Sequence, residues 1–194
     1  MPIQLKRGDA LIIVDVQNDF LAGGRLAVAE GNTIIPVLNR YIACFQARQL
    51  PIFATRDWHP SDHCSFLTQG GEWPPHCIAG SAGAAFHADL TLPDNTHIIS
   101  KAISQDMDAY SGFTATQLDE LLQKFHIDRV FIGGIATEYC VRNTVTDALQ
   151  LGYCTFVLED AIQAINQKIQ DGRLALLDMV RHGAQLLHFQ ELTQ

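Results

Sequence analysis

The sequence lacks the features that would place it in a membrane or outside the cell. Its longest uncharged apolar runs, such as 10–14, are far shorter than the ~20 residues needed to cross a bilayer. The first residues contain no apolar core of a secretory signal, and none of the five cysteines forms a C-x-x-C pair. We therefore expect a cytoplasmic protein with free thiols and no membrane partner.

Positive charge is also scarce. The chain of 194 residues carries 13 Lys and Arg against 21 Asp and Glu, which gives a formal net charge of −8. A nucleic-acid-binding surface needs clustered basic residues, so we expect no nucleic-acid partner. The sequence leaves the oligomeric state open, and a homo-oligomer is one of the alternatives.

Three common functional motifs are absent. No lysine follows a glycine, which excludes a Walker A loop, and no G-x-G-x-x-G follows the first predicted strand. No G-x-S-x-G motif occurs, which disfavours a serine α/β-hydrolase.

What the sequence does contain is an alternation of apolar strands and amphipathic helices. Its length and its 47% hydrophobic residues are typical of one globular domain, which we expect to span 1–194. Short apolar runs predict strands, and apolar residues at helical spacing predict helices. The predicted strands are 10–14, 52–55, 97–100, 129–132, 153–158 and 184–189, and the predicted helices are 33–49, 114–125, 137–151 and 167–181. This order predicts a three-layer αβα fold with a doubly wound, mostly parallel sheet of Rossmann-like layering.

Side chains that can take part in catalysis or bind a metal follow four of the predicted strands. Asp15 follows the first strand, Asp57 and His59 the second, Lys101 the third, and Cys140 the fourth. Because ligands of open α/β sheets bind outside the carboxyl ends of the strands, we expect these side chains to share one site. An ion pair between Asp15 and Lys101 would explain a charge that directly follows an apolar strand. A cysteine beside a carboxylate base and a cation is a set that activates a nucleophile.

Cys140 has a structural alternative, because an isolated cysteine is most often a small core residue. Cys44 and Cys154 are both explained in that way. Thr137 is predicted to cap the following helix, which puts Cys140 at a helix start where a thiolate is favoured. Glycines at 133–134 allow a close backbone approach, so N–H groups could face an oxyanion. These features favour Cys140 as the nucleophile.

The segment 57–96 holds a second set of candidate residues. It contains four of the seven prolines and four of the eight histidines, and long loops in compact domains are usually functional. Asp57 and His59 stand two residues apart at a strand end, so their side chains point to one face. Together with His63 and His76 they form a carboxylate and imidazole set that suits Zn²⁺ or Fe²⁺. Exposed loop histidines are the alternative interpretation.

Six segments occur together in an order typical of one enzyme family. They are D-V-Q-N-D-F at 15–20, D-W-H-P-x-x-H at 57–63, W-P-P-H at 73–76, Lys101, Y-S-G-F at 110–113 and G-I-A-T-E-Y-C-V-R at 134–142. With these segments the sequence resembles the nicotinamidase/pyrazinamidase family, the metal-binding branch of the isochorismatase-like cysteine hydrolases. The resemblance implies an isochorismatase-like hydrolase fold.

The resemblance also implies a reaction. Nicotinamide, and pyrazinamide as well, would be hydrolysed to the acid and ammonia through a cysteine thioester, in NAD salvage. It implies a catalytic triad of Asp15, Lys101 and Cys140. It further implies an oxyanion hole made by the N–H groups of Ala136 and Cys140, with a cis peptide bond before Ala136.

One divalent metal ion is implied as the cofactor, with zinc, iron or manganese as its identity. The implied ligands are Asp57, His59 and His76, with His63 as an extra ligand, and the ion would bind the pyridine nitrogen of the substrate. The substrate-binding positions that carry over from the family are Phe20, Trp73, Tyr110, Ala136 and Tyr139.

Two other functions stay open at this point. A related amidohydrolase, such as an isochorismatase or a ureidoacrylate hydrolase, would share the fold, although the Asp-x-His motif at 57–59 argues against it. A metal-binding scaffold without activity is disfavoured by the complete set of Asp15, Lys101 and Cys140.

Overall fold

A central parallel sheet organises the protein, whose computed structural model describes residues 2–193. The strands are β1 (Ile3–Gln4), β2 (Asp9–Val14), β3 (Ile52–Asp57), β4 (His97–Lys101), β5 (Arg129–Ile135), β6 (Cys154–Gln163), β7 (Gln185–Leu187) and β8 (Leu192–Thr193). The helices are α1 (Ile35–Ala47), α2 (Leu118–Lys124), α3 (Arg142–Gln150) and α4 (Asp171–Arg181). Six strands form one sheet in the order β4-β3-β2-β5-β6-β7, and all of its neighbouring pairs are parallel. Strands β1 and β8 pair separately.

Both faces of the sheet are covered, as a continuous apolar strand requires. Every residue of β2 is buried. Leu11 and Ile13 pack in the core that contains the apolar face of α1, whereas Ile12 and Val14 pack in the core that contains α2, α3 and α4. This alternation follows from the period of two along a strand, and the predicted αβα layering is confirmed.

All four helices are shorter than the sequence pattern predicts, and the late starts of α2 and α4 have a local cause. The predicted start of α2 at 114 is wrong, because Ala115 has a left-handed φ of 52° and the Thr116 hydroxyl donates to the Gly112 carbonyl. Such local side-chain bonds compete with helical ones. The predicted start of α4 at 167 is wrong for a similar reason, since Gln170 has a φ of 76° and the helix begins after it. Strands β5 and β6 in turn extend beyond their predicted ends.

The long segment between β3 and β4 contains no helix or strand beyond one short 3₁₀ turn at Leu67–Gln69. Isolated bridges join His59 to Ile78 and Phe66 to Trp73. Among residues 2–193, no helix has the length and apolar character that crossing a membrane requires.

Candidate active site

The charged residues predicted from the strand ends form one buried cluster. Asp57 and Lys101 are register partners at the ends of β3 and β4, and Asp15 follows β2 directly. Lys101 is 1% exposed. Its Nζ lies 3.0 Å from Asp15 Oδ2 and 3.5 Å from Cys140 Sγ, and it also donates to Asp57 Oδ1 and to the Ala109 carbonyl. The ammonium group therefore has a carboxylate on each side and the thiol within reach.

Asp15 is held from two directions. Its φ of 51° turns the chain away from the strand, and its second carboxylate oxygen accepts a 2.7 Å hydrogen bond from the Thr55 hydroxyl. Burial raises the pKa of Asp15, and the opposing attraction of Lys101 does not cancel this effect. A carboxyl group with a raised pKa suits an exchange of protons near neutral pH.

Cys140 lies in a turn that differs from the predicted helix start. Residues Thr137–Val141 form a π-helical turn, closed by a 3.1 Å bond from Val141 N–H to the Ala136 carbonyl, and α3 begins only afterwards. The residue before this turn is Ala136, so the prediction that Thr137 caps the helix is wrong. The peptide bond between Ile135 and Ala136 is cis, as the resemblance implied. Turns of this π type often occur at functional sites.

The environment of Cys140 opposes ionisation of its thiol. Cys140 is 6% exposed, and burial raises the pKa of its thiol well above the usual value despite the attraction of Lys101. Burial therefore acts against the thiolate that the predicted helix start would favour. The carboxylate oxygens of Asp15 and Asp57 lie within 4.8 Å of Cys140 Sγ, so a base is close to the thiol. Cys154, expected in the core, is exposed.

A second cluster adjoins the first and fits a divalent metal ion. The ligand atoms of Asp57, His59 and His76 lie within 4.8 Å of one another, and all three side chains are buried. Within residues 2–193, neither ring nitrogen of His59 has a hydrogen-bond partner. The Nδ1 of His76 lies 2.8 Å from the Pro74 carbonyl, which leaves its Nε2 available. Burial lowers the pKa of His76, which favours the neutral ring that a metal ligand requires.

His63 lies beside this cluster without joining it. Its ring centroid is 4.2 Å from that of His59. However, its Nδ1 lies 2.8 Å from Ser65 Oγ and its Nε2 lies 3.2 Å from the Met107 carbonyl, so both nitrogens have partners. The structure thus brings together three of the four predicted metal ligands.

The two clusters meet at the wall of one cavity. All five predicted substrate-binding residues line it, and these are Phe20, Trp73, Tyr110, Ala136 and Tyr139. Trp73 Nε1 donates a 2.9 Å bond to the Tyr110 hydroxyl, and the Trp73 and Tyr139 rings meet edge to face at 5.2 Å. Cys140, Asp57, His59 and His76 are also in the wall. An apolar, aromatic cavity with a few convergent polar groups is typical of a small-molecule site.

Sequence reasoning missed five residues of the cavity wall, which are Leu26, Ser65, Asp108, Ala109 and Ile165. Leu26 and Ile165 come from loops after β2 and β6, and Asp108 comes from the loop after β4. Nothing in the sequence distinguishes these residues from other loop residues. Asp108 also lines a shallower depression beside the cavity, together with Glu72, Trp73 and Tyr110.

Comparison with known proteins identifies the class to which this fold and site belong. The profile of the isochorismatase domain matches residues 9–191. The chain therefore belongs to the isochorismatase family of hydrolases.

Within this family, the predicted resemblance to the nicotinamidase/pyrazinamidase branch is confirmed. The chain is 39% identical to a nicotinamidase of Escherichia coli (strain K12), over 91% of this chain and 93% of that protein. It is 38% identical to a nicotinamidase/pyrazinamidase of Mycobacterium tuberculosis, over 89% of this chain and 94% of that protein.

Solved structures agree with the sequence comparisons. A pyrazinamidase of Pyrococcus horikoshii in complex with zinc has a TM-score of 0.90 and 46% identity, over 94% of this chain and 99% of that chain. A protein named PnC1 from L. infantum, in complex with nicotinate, has a TM-score of 0.92 and 36% identity, over 100% of this chain and 99% of that chain.

Proposed function

We propose that this chain is a nicotinamidase that also hydrolyses pyrazinamide, releasing ammonia through a thioester on Cys140. One observation carries the proposal: Asp15, Lys101 and Cys140 form a buried cluster at the wall of an aromatic cavity. The similarity to nicotinamidases over most of the chain supports the same substrate class. The reaction would be a step of NAD salvage.

The first half of the reaction forms the thioester. Asp15 accepts the thiol proton of Cys140, and the resulting thiolate attacks the carboxamide carbon of the substrate. The N–H groups of Ala136 and Cys140 stabilise the oxyanion of the tetrahedral intermediate. Asp15 then returns the proton to the leaving nitrogen, the carbon–nitrogen bond breaks, and ammonia departs.

The second half of the reaction regenerates the enzyme. Asp15 takes a proton from water, and the hydroxide attacks the thioester carbon while the N–H groups again hold the oxyanion. The carbon–sulfur bond breaks, the proton returns to Cys140, and the acid product leaves. Lys101 keeps Asp15 oriented and, from 3.5 Å, stabilises the negative charge on the sulfur.

Asp57, His59 and His76 would hold the metal ion, which we propose is zinc or iron, with manganese as a further alternative. When bound, the ion supplies a Lewis-acid site for the pyridine nitrogen and so fixes the position of the ring. His63 would have to give up its contact with the Met107 carbonyl to become a fourth protein ligand. The rings of Phe20, Trp73, Tyr110 and Tyr139 would pack around the substrate.

We also propose that the enzyme acts in the cytoplasm on free nicotinamide, as one domain spanning 1–194. The lack of a clustered basic surface in the sequence supports a small-molecule substrate and no nucleic acid. A second copy of the chain remains a candidate partner.

An ammonia-release assay with nicotinamide and pyrazinamide tests the proposed activity. We expect both amides to be hydrolysed, and Cys140→Ala to abolish the release of ammonia. Cys154→Ala is the matched control, because Cys154 is exposed and stands outside the cavity wall. Intact-mass measurement of acid-quenched enzyme should detect the acyl adduct in wild type and not in Cys140→Ala. If the wild-type protein releases no ammonia from nicotinamide, the proposal is wrong.

A further inference from the structure

Asp15, Gln17 and Asp19 are every second residue of the segment after β2, and their side chains point to different parts of the site. The proposed mechanism uses only Asp15. Asp15 is the proposed base. Gln17 and Asp19 take no part in the reaction, yet they are 0% and 7% exposed. A buried carboxamide and a buried carboxylate must be satisfied by hydrogen bonds, and the groups that satisfy them indicate what each side chain does.

Gln17 binds both backbone polar groups of Asp57. Its Nε2 donates to the Asp57 carbonyl at 2.8 Å, and its Oε1 accepts from the Asp57 N–H at 2.8 Å. A third bond joins Nε2 to the Ala84 carbonyl at 2.9 Å. The main chain of β2 leaves β3 at Asp15, where φ is 51°. The carboxamide of Gln17 therefore replaces, with side-chain hydrogen bonds, the backbone hydrogen bonds that join β2 to β3 before this point.

Asp19 makes the equivalent connection to the segment that carries His76. Its Oδ2 accepts a 2.7 Å bond from the N–H of Cys77, the residue directly after His76. Cys77 has a left-handed φ of 45°, so its N–H has an unusual direction that this carboxylate fixes. Gly83 leaves room for the arrangement, because a Cβ there would overlap the Asp19 carboxylate.

We propose that Gln17 and Asp19 are positioning residues for the metal ligands, with Gln17 fixing Asp57 and Asp19 fixing His76. The inference rests on the metal site of the proposed function. Asp57 lies at a strand end and His76 in an irregular loop, and the backbone joins the two segments through the single bridge between His59 and Ile78. The turn after β2 adds a second connection, because its two buried side chains bind the backbone of Asp57 and the N–H of Cys77. Residues that orient metal ligands typically contribute about 10- to 100-fold to metal affinity.

The test is the dissociation constant of zinc, measured on metal-free protein by competition with a chromophoric chelator. Gln17→Met keeps the side-chain length and removes three hydrogen bonds, and Asp19→Asn keeps the shape with one acceptor fewer. We expect each to weaken zinc binding by about 10- to 100-fold, as orienting residues do. If Gln17→Met fails to fold, Gln17→Asn keeps the amide and withdraws it by one methylene, with the same expected loss.

Two variants serve as matched controls. Asn18→Ala removes a 2.8 Å bond from the same turn to the Ala82 carbonyl, which lies away from the ligands. Asp62→Asn removes an exposed negative charge from the loop that carries the histidines. Both should leave the zinc affinity within about twofold of wild type, since neither contacts a ligand residue. His59→Ala, which removes one metal ligand, gives the zinc affinity of a protein whose metal site is disrupted.

The outcomes separate this inference from the proposed activity. Folded Gln17 and Asp19 variants that bind zinc as wild type does would overturn the inference, even if nicotinamide is hydrolysed. A wild-type protein that binds zinc no better than His59→Ala would overturn it as well. If zinc binding is lost in the variants while wild type releases no ammonia from nicotinamide, the inference stands and the proposed activity fails.

Discussion

Replacing Lys101 with methionine tests how the buried charges of the site are balanced. Methionine keeps the length of the side chain and removes the ammonium group, which lies 3.0 Å from Asp15 and also binds Asp57. Two buried carboxylates then lose their shared cation. Breaking a buried ion pair by removing one partner costs about 3–5 kcal/mol. For a domain of this size, that loss corresponds to a fall in Tm of about 6–20 °C.

The loss of stability in Lys101→Met should also depend on pH, and the direction of this dependence follows from the pKa of Asp15. Burial already raises the pKa of Asp15, and without Lys101 its pKa rises further above the unfolded value of about 3.9. A group whose folded-state pKa is raised contributes stability at low pH that is lost as the pH rises. The difference in unfolding free energy between wild type and Lys101→Met should therefore be larger at about pH 8 than at about pH 5.5.

Urea unfolding at both pH values, with matched metal content, measures this difference. Lys124→Met is the control, because Lys124 is exposed on α2, and it should change the unfolding free energy by less than about 0.5 kcal/mol. The double variant Asp15→Asn/Lys101→Met should recover part of the loss, since asparagine removes one of the two carboxylates that lost their cation. A Lys101→Met protein within about 1 kcal/mol of wild type at pH 8 would refute the reasoning.

Three further predictions concern the reaction. Asp15→Asn should lower kcat/KM for nicotinamide by more than about 100-fold; near-normal turnover would assign the proton transfers to another group. Benzamide, which has no ring nitrogen, should have a kcat/KM about 100-fold or more below that of nicotinamide. This ratio should move toward one in His76→Ala, and a ratio near one in the metal-loaded wild type would refute a ring-anchoring role. In the absence of substrate, iodoacetamide should modify Cys154 before Cys140, because Cys154 is exposed whereas burial raises the pKa of Cys140. Peptide mapping checks the order, and faster labelling of Cys140 would contradict a protonated resting thiol.

Much of the sheet could be predicted from the sequence because its strands are buried on both faces. Strand β2 is a continuous apolar run for this reason, and the position of Asp15 at its carboxyl end followed from the layering alone. The starts of α2 and α4 could not be predicted, because they depend on the left-handed backbone of Ala115 and Gln170. Neither residue is a glycine, which would have indicated such a conformation. Propensity cannot indicate that a non-glycine residue adopts such a conformation.

The site was predictable to the extent that chemistry shows in residue type. The carboxylate and histidines at 57–76 indicated a candidate metal site from residue type alone, whereas the ordinary apolar residues Leu26 and Ile165 indicate nothing until the fold is known. The raised pKa of Cys140 was also beyond the sequence. Its helix-start position favours a thiolate, but the degree of burial that opposes this preference is a property of the packed structure.

The acidic depression beside the cavity affects the substrate and the product of the proposed reaction differently. Glu72 and Asp108 both line this depression, and both are exposed to solvent. Nicotinamide is neutral and meets no electrostatic barrier there, whereas nicotinate carries a carboxylate of the same sign as the two side chains. The repulsion acts over about a Debye length, roughly 8 Å at physiological ionic strength. A single deamidation therefore turns a ligand that these two carboxylates do not repel into one that they do.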